Sequence, residues 1–437
     1  MSTAVAEAAQ PARQLLRPQL LRAAIASSVG TTLVWCDVFL YGFAASLVLG
    51  DRFFPTSSPF VSTLTALATY LVGFAARPLG AALFGRMGDR IGRRATLIAT
   101  LWLMGLATML VGLVPTYAQI GIAGGVLLTL IRILQGVAAG GQWAGSVLLS
   151  VEWAERRWRG LTGSLTQLAM PAGLLLALGG VQLSAYYVGS SSYWGWRVPF
   201  LLGGALLIAV GLYVRIGTSE TPVFTKLLED RKIEQAPVTQ AIARQGSQVL
   251  LCALTRTGQE APFYLFTVFV VGYATSILKF QQAEVLRFVM IAAAVSVVAT
   301  PFWGFQSDLL GRRRICLIGA AAMLVWSFGY WALLDQGVPL LVLGAIVLAL
   351  PIHDIQSGPQ AALLAESFTA RLRYSGASLG YHLAALIAGG PALVVPVALL
   401  SAFHQSLPVA IYGAVCAAIS LGAVALLRDR SGQELSA

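Results

Sequence analysis

The ten residues GRMGDRIGRR, 85–94, hold four arginines and an aspartate in a chain of 437 residues that is 57% hydrophobic and only 11% charged. A second stretch, GFQSDLLGRRR at 304–314, repeats the frame. Gly85, Asp89, Gly92, Arg93 and Arg94 recur as Gly304, Asp308, Gly311, Arg312 and Arg313, every pair 219 residues apart. That offset is half the chain, so the architecture it predicts is a duplicated one.

The rest of the composition says what is duplicated. A chain this apolar exceeds what a soluble domain carries, and each membrane span needs about 20 mostly apolar residues. Six apolar runs lie near 24–48, 61–85, 95–115, 120–151, 162–186 and 196–216, and six more near 249–276, 286–306, 315–334, 338–366, 377–400 and 408–427. The predicted fold is an all-α integral membrane protein with twelve transmembrane helices in two pseudo-symmetric six-helix bundles. Residues 1–22 read as a cytoplasmic tail without a secretory leader, 23–216 as the first bundle, 217–248 as a polar cytoplasmic linker, and 249–437 as the second bundle with a short tail. A weaker echo supports the repeat: Glu152 precedes RRWRGLTGS and Glu366 precedes RLRYSGASLG. Repeated halves around a central site are a recurring plan of secondary transporters.

The positions of the basic residues give an orientation. With both termini cytoplasmic, 22 of the 29 Lys and Arg fall in inner segments or at their edges, the positive-inside pattern. The high pI therefore needs no nucleic-acid partner; the partner is the lipid bilayer. The four cysteines sit in apolar runs at unrelated spacings, which fits neither a disulfide framework nor a metal site.

Charges inside the spans are the candidate functional groups, because an Arg or Asp at a helix centre costs roughly 2.5–3.5 kcal/mol on insertion scales. Asp37 lies mid-span on a mildly polar stripe that ends at Tyr41. It reads as a proton or substrate group, or as a fixed ion pair with Arg77 or Arg132. Arg77 reads either as a bidentate clamp for a carboxylate or as a structural partner of Asp37. Arg132, Gln135, Ala139, Gln142 and Ser146 form a stripe at helical spacing, which lines a cavity or a helix contact; Gln142 is a candidate substrate-facing amide. Glycines 136, 140, 141 and 145 on the same helix permit close approach by neighbours. In the second half Arg256 and Glu260 are spaced to pair, and Tyr264 continues their face. His353 and Asp354 point about 100° apart on their helix and need not share a partner. His382 is a candidate proton or substrate ligand, or a packing group. Gln167 and Gln360, with Tyr41 and Tyr264, are candidate polar edges of a central site.

The repeated loops themselves carry Gly85, Asp89, Arg90, Gly92, Arg93 and Arg94 in one copy and Asp308, Gly311, Arg312 and Arg313 in the other. Their arginines hold orientation and can meet helix C-termini. The fixed glycines imply close packing against a neighbour, and Asp89 and Asp308 are acidic exceptions inside basic clusters; topology alone is the rival reading of these loops.

At these residues the chain resembles the major facilitator superfamily. The Gly-x3-Asp-Arg-x-Gly-Arg-Arg loop, its later copy, and RILQG at 132–136 carry the likeness. WCDVFLYG (35–42), RILQGVAAGGQWAGS (132–146), WRVPFLLGG (196–204), ETPVF (220–224), EAPFYLFTVFV (260–270) and AESFTARLRYSGASLGY (365–381) are similar to its metabolite:H+ symporter family. Gln142, Val34 and His382 stand where that family usually has an acid, an acid and an amide. The resemblance implies loops that latch the halves together on the inner side, a part for Arg132 in proton coupling, and import of a small organic acid or related metabolite with protons. The alternative is a proton antiporter exporting a drug or metabolite.

No enzyme is expected, since neither His-Glu-x-x-His nor Gly-x-Ser-x-Gly occurs and no lysine follows a glycine as a P-loop requires. The proton gradient takes the place of a cofactor. An arginine-rich, lysine-poor chain fits a bacterial source, hence an inner membrane, and a monomer is expected.

Overall fold

Each apolar run becomes one long helix, because a backbone in hydrocarbon must satisfy its own N–H and C=O groups. The computed structural model describes residues 2–56, 59–189, 193–430 and 433–435. The first half contains α1 (Ser2–Ala44), α2 (Pro59–Arg90), α3 (Arg93–Leu113), α4 (Ile122–Trp153), α5 (Arg156–Gly189) and α6 (Arg197–Gly217). The second contains α7 (237–276), α8 (Gln282–Leu310), α9 (Arg312–Leu334), α10 (Pro339–Glu366), α11 (Arg373–Phe403) and α12 (Leu407–Leu426). Ten of these are long and apolar enough to cross a membrane, and no strand occurs among the described residues. The other two, α2 and α7, pack inside the bundle against α4 and against α11 and α12.

The linker between the halves is partly helical. Thr221 caps the short helix Pro222–Glu229, its hydroxyl accepting from the Phe224 N–H at 3.3 Å. The helix that becomes α7 starts at Pro237 and breaks at Gln245 (φ −129°, ψ 23°).

Packing repeats between the halves. In the first, α1 lies against α4, α5 and α6, α2 against α4, and α3 against α4 and α6. In the second, α7 lies against α10, α11 and α12, α8 against α10, and α9 against α10 and α12. The halves meet through two equivalent pairs, α2 with α11 and α5 with α8, and also where α5 packs on α10 and α4 on α11. The local irregularities repeat as well: a wider π turn interrupts or ends α1 (Ala45–Leu49), α5 (Ala185–Gly189), α7 (Leu265–Phe269) and α11 (Ala385–Gly389). Such turns often mark functional helices. The small-residue pattern of α4 also has a visible cause. A Cβ on Gly136 or Gly140 would collide with the carbonyls of Gly73 and Arg77 on α2, so these glycines set how close α2 lies to the centre.

Candidate functional site

Two sites emerge, one at the arginine-rich face and one at mid-depth. At the face, α2 turns into α3 through Gly92 (φ +126°) and α8 into α9 through Gly311 (φ +94°), backbone that favours glycine. The turn leaves Asp89 facing α11, where it accepts the N–H of Tyr374 at 3.1 Å and of Ser375 at 2.9 Å. Asp308 accepts the N–H of Gly160 and Leu161 on α5, both at 2.8 Å. Each acid thus fills the unsatisfied first turn of a helix from the opposite half, where negative charge is favoured. Gly85 packs directly on Ser375.

The arginines build on this frame. Arg93 lies 3.3 Å from Asp89 and 3.4 Å from Glu152, and Arg373 reaches Glu152 at 3.2 Å. The copy has Arg312 at 3.0 Å from both Asp308 and Glu366, with Arg159 at 3.7 Å from Glu366. Arg94 donates to the carbonyls of Val214 and Arg215 at the end of α6, and Arg313 to those of Val424 and Ala425 at the end of α12, the helix C-terminal contacts expected of cations. Arg90 is exposed and bonds Gln235 of the linker at 3.2 Å. Glu220 accepts the N–H groups of Arg93 (3.1 Å), Arg94 (3.1 Å) and Thr221 (2.9 Å). Burial nevertheless pushes its carboxyl above the ordinary range. Glu152, Arg159, Glu366 and Arg373 were missing from the sequence-based gate. Their signal was the second echo, in which glutamate and arginine are seven residues apart in both copies.

At mid-depth the polar side chains fall into four groups. Asp37 pairs with Arg132 at 3.5 Å and accepts from Thr108 (2.9 Å) and from Gln135 (2.9 and 3.0 Å). Gln135 in turn accepts from Arg132 at 2.5 Å. The Arg132 guanidinium lies 3.8 Å over the Tyr41 ring, whose hydroxyl bonds Thr69 at 2.5 Å. Of the two partners open to Asp37, the structure selects Arg132. In the second group Arg256 pairs with Glu260, donates to Gln360 at 2.8 Å and stacks 3.5 Å over Tyr381. The Oε1 of Glu260, the Nε2 of Gln360 and the hydroxyl of Tyr264 are buried without a partner.

His353 and Asp354 form the third group. They are bonded to one another, Nδ1 to Oδ1 at 3.0 Å, despite their diverging directions on the helix. The fourth group surrounds Arg77. It is 5% exposed, lies 3.9 Å over the Phe74 ring, and has no carboxylate within salt-bridge distance among the described residues. Arg77 lines two small adjoining cavities. One holds Asp37, Arg132 and Gln135; the other holds Trp35, Gln142, Trp143, Tyr381 and His382. Both ring nitrogens of His382 are buried and unpartnered. Gln142 donates to Thr31 (2.9 Å) and Ser146 (2.8 Å). Gln167 stands apart from this cluster: it accepts from the Trp143 indole at 2.9 Å and reaches the Ser357 carbonyl of the other half at 3.4 Å. The arrangement is a buried cationic cleft walled by aromatic rings, with acid–base pairs on either side.

Comparison with known proteins follows the same lines. Residues 27–392 match the Major Facilitator Superfamily. The inner membrane metabolite transport protein YhjE of Escherichia coli is 35% identical over 94% of both chains. The shikimate transporter of the same organism is 34% identical over 93% of this chain and 94% of its own. Among solved structures, the proton:xylose symporter XylE bound to 6-bromo-6-deoxy-D-glucose superposes with a TM-score of 0.78 at 18% identity, covering 96% of this chain and 98% of that one.

Proposed function

The chain belongs to the major facilitator superfamily, among transporters of the metabolite:H+ symporter type, and from that premise we propose that it imports a small organic anion together with protons. The observation that carries this reading is Arg77. A guanidinium buried at mid-depth with no acid beside it is costly unless an anion joins it, and its planar fork suits a carboxylate. Gln142 and the two free nitrogens of His382 sit in the same cavity and supply further polar contacts. The relative named a shikimate transporter, whose substrate name is that of a cyclic carboxylate, is in keeping with this chemistry.

Transport proceeds by alternating access. The Asp89 and Asp308 latches join α2 to α11 and α5 to α8 on one face; breaking them lets residues 23–216 rock against 249–437 and opens the site on that side. In this reading the arginine-rich face and both termini are cytoplasmic, the membrane is a bacterial inner membrane, and residues 217–248 link the halves.

The test is uptake of labelled lactate, pyruvate, 2-oxoglutarate, shikimate and glycine betaine into proteoliposomes, with an inward proton gradient and with a protonophore. One carboxylate is expected to accumulate, to stop accumulating with protonophore, and to lose binding in Arg77→Ala. Equilibration without accumulation that survives the protonophore, or faster loss from preloaded vesicles when the gradient is present, would make the protein a uniporter or an exporter.

A further inference from the structure

We propose that the coupled proton is carried by His353 and Asp354, and that it loads one-for-one with the anion at Arg77. The inference rests on the reading of Arg77 as the anion anchor. Its starting point is how formal charge is distributed at mid-depth. Asp37 is matched by Arg132 and Glu260 by Arg256. Two groups remain: Arg77, with no acid, and Asp354, whose ion-pair partner among the described residues is His353. They lie in different halves, on α2 and α10.

The local geometry can hold the dyad in two protonation states. His353 Nδ1–H donates to Asp354, which also accepts from the Ser296 hydroxyl at 2.6 Å. The other ring nitrogen, Nε2, faces the Gln259 amide nitrogen at 2.8 Å, an orientation in which the amide donates and Nε2 accepts. The Oε1 of that same amide is buried without a partner. A half-turn of the Gln259 amide would present this oxygen to a protonated Nε2. The proton therefore binds the Nε2 lone pair, giving an imidazolium held against the Asp354 carboxylate, with a hydrogen-bond partner ready in either state. The other neighbours are Ser296 and Thr300 from α8 and the Phe263 ring from α7, 5.5 Å from the imidazole. Arg256 and Glu260 on α7 are committed to each other, and His382 on α11 lies with Arg77 in the central cavity.

This arrangement couples the two ligands without contact between them. In the empty carrier the charges of Arg77 and Asp354 cancel, and with both anion and proton bound they cancel again. Either ligand alone leaves one net charge in a low-dielectric interior, where charge is expensive. Only the empty and doubly loaded carriers then reorient, which is symport of one proton per monoanion.

The experiment uses proteoliposomes and the monocarboxylate selected by the uptake panel. A pH dye in the lumen reads proton flux, and counterflow exchange reads substrate movement. The wild type is expected to move one proton per anion, at a rate insensitive to membrane potential. Asp354→Asn is expected to abolish substrate-linked proton flux and accumulation while exchange stays within about threefold; His353→Gln, a second route should the first variant fold poorly, is expected to shift the pH profile of accumulation. The proposal is overturned if Asp354→Asn still moves protons with substrate. It is overturned equally if that variant folds but loses exchange, or if Asp37→Asn is the change that separates proton flux from exchange. Absence of any anion uptake by the wild type, or anion uptake unaffected by Arg77→Ala, would instead overturn the anion reading.

Discussion

Asp89 and Ser375 belong to different halves, yet the Ser375 N–H donates to the Asp89 carboxylate at 2.9 Å, and Leu161 stands in the same relation to Asp308 at 2.8 Å. The repeat seen in the chain is thus a repeat of one device, an acid from the end of one helix seated on the first turn of another. Hydrogen bonds to a charged acceptor are worth about 1.5–3 kcal/mol. Asp89→Asn keeps the size of the side chain but loses its charge and one of its two acceptors. Amide exchange at the start of α11 should speed up by roughly tenfold, the equivalent of about 1.4 kcal/mol, as read by hydrogen exchange in nanodiscs. Unchanged protection would mean that the latch contributes nothing to closure.

Glu152 is the hub of the first charge cluster. It meets Arg93 and Arg373 and accepts from the Thr221 hydroxyl of the linker. Replacing it with glutamine leaves Arg373, which is 2% exposed, without an acid. Breaking a buried pair from one side costs about 3–5 kcal/mol; Arg93 retains Asp89, so the lower end is expected. Thermal unfolding in detergent should show a Tm several degrees lower for Glu152→Gln, and Arg373→Gln added to it should recover part of the loss. Additive losses would mean the two residues do not act as a pair.

How much of this was legible depends on separation along the chain. Asp89 and Asp308 could be singled out because each stands in a motif that occurs twice. Glu152 and Arg373 are 221 positions apart, and only their common spacing within each copy hinted that they belong together. Hydrophobic run length located twelve helices, ten of them long and apolar enough to cross a membrane, since the bilayer dictates both length and composition. The pairing of Asp37 was left open between two arginines because α2 and α4 both border α1's polar stripe; side-chain reach decides it, and that is a tertiary fact. His353 and Asp354 show the same limit. Their backbone directions diverge by about 100°, but the imidazole bends back to its neighbour.

Glu220 tests the linker's part in holding α3. Its folded-state carboxyl is raised because burial outweighs its hydrogen bonds and Arg93. A raised acid favours folding most below its unfolded value of 4.5, and that advantage is lost as pH rises through the folded value. Glu220→Gln is neutral at every pH. Its Tm relative to wild type should therefore be highest at neutral pH and fall toward equality as the medium is acidified. A variant that loses most stability at neutral pH would show that the charged cap outweighs burial.

Gln142 offers the sharpest test of the central cleft. It lines the same cavity as Arg77 and His382, and it donates to Thr31 and Ser146. Gln142→Glu would place a carboxylate where Arg77 otherwise has none. Attraction at a buried site is strong enough to hold such a pair together, and the new acid would compete with any incoming anion for the same guanidinium. Substrate affinity should fall by about 10–100-fold, the equivalent of 1.4–2.8 kcal/mol, while the protein itself becomes more stable because Arg77 gains a counter-ion. The combination separates this effect from damage to the fold, which would lower affinity and Tm together. Calorimetric binding alongside thermal unfolding reads both. If Gln142→Glu binds the anion as tightly as wild type, Arg77 is not where the anion sits.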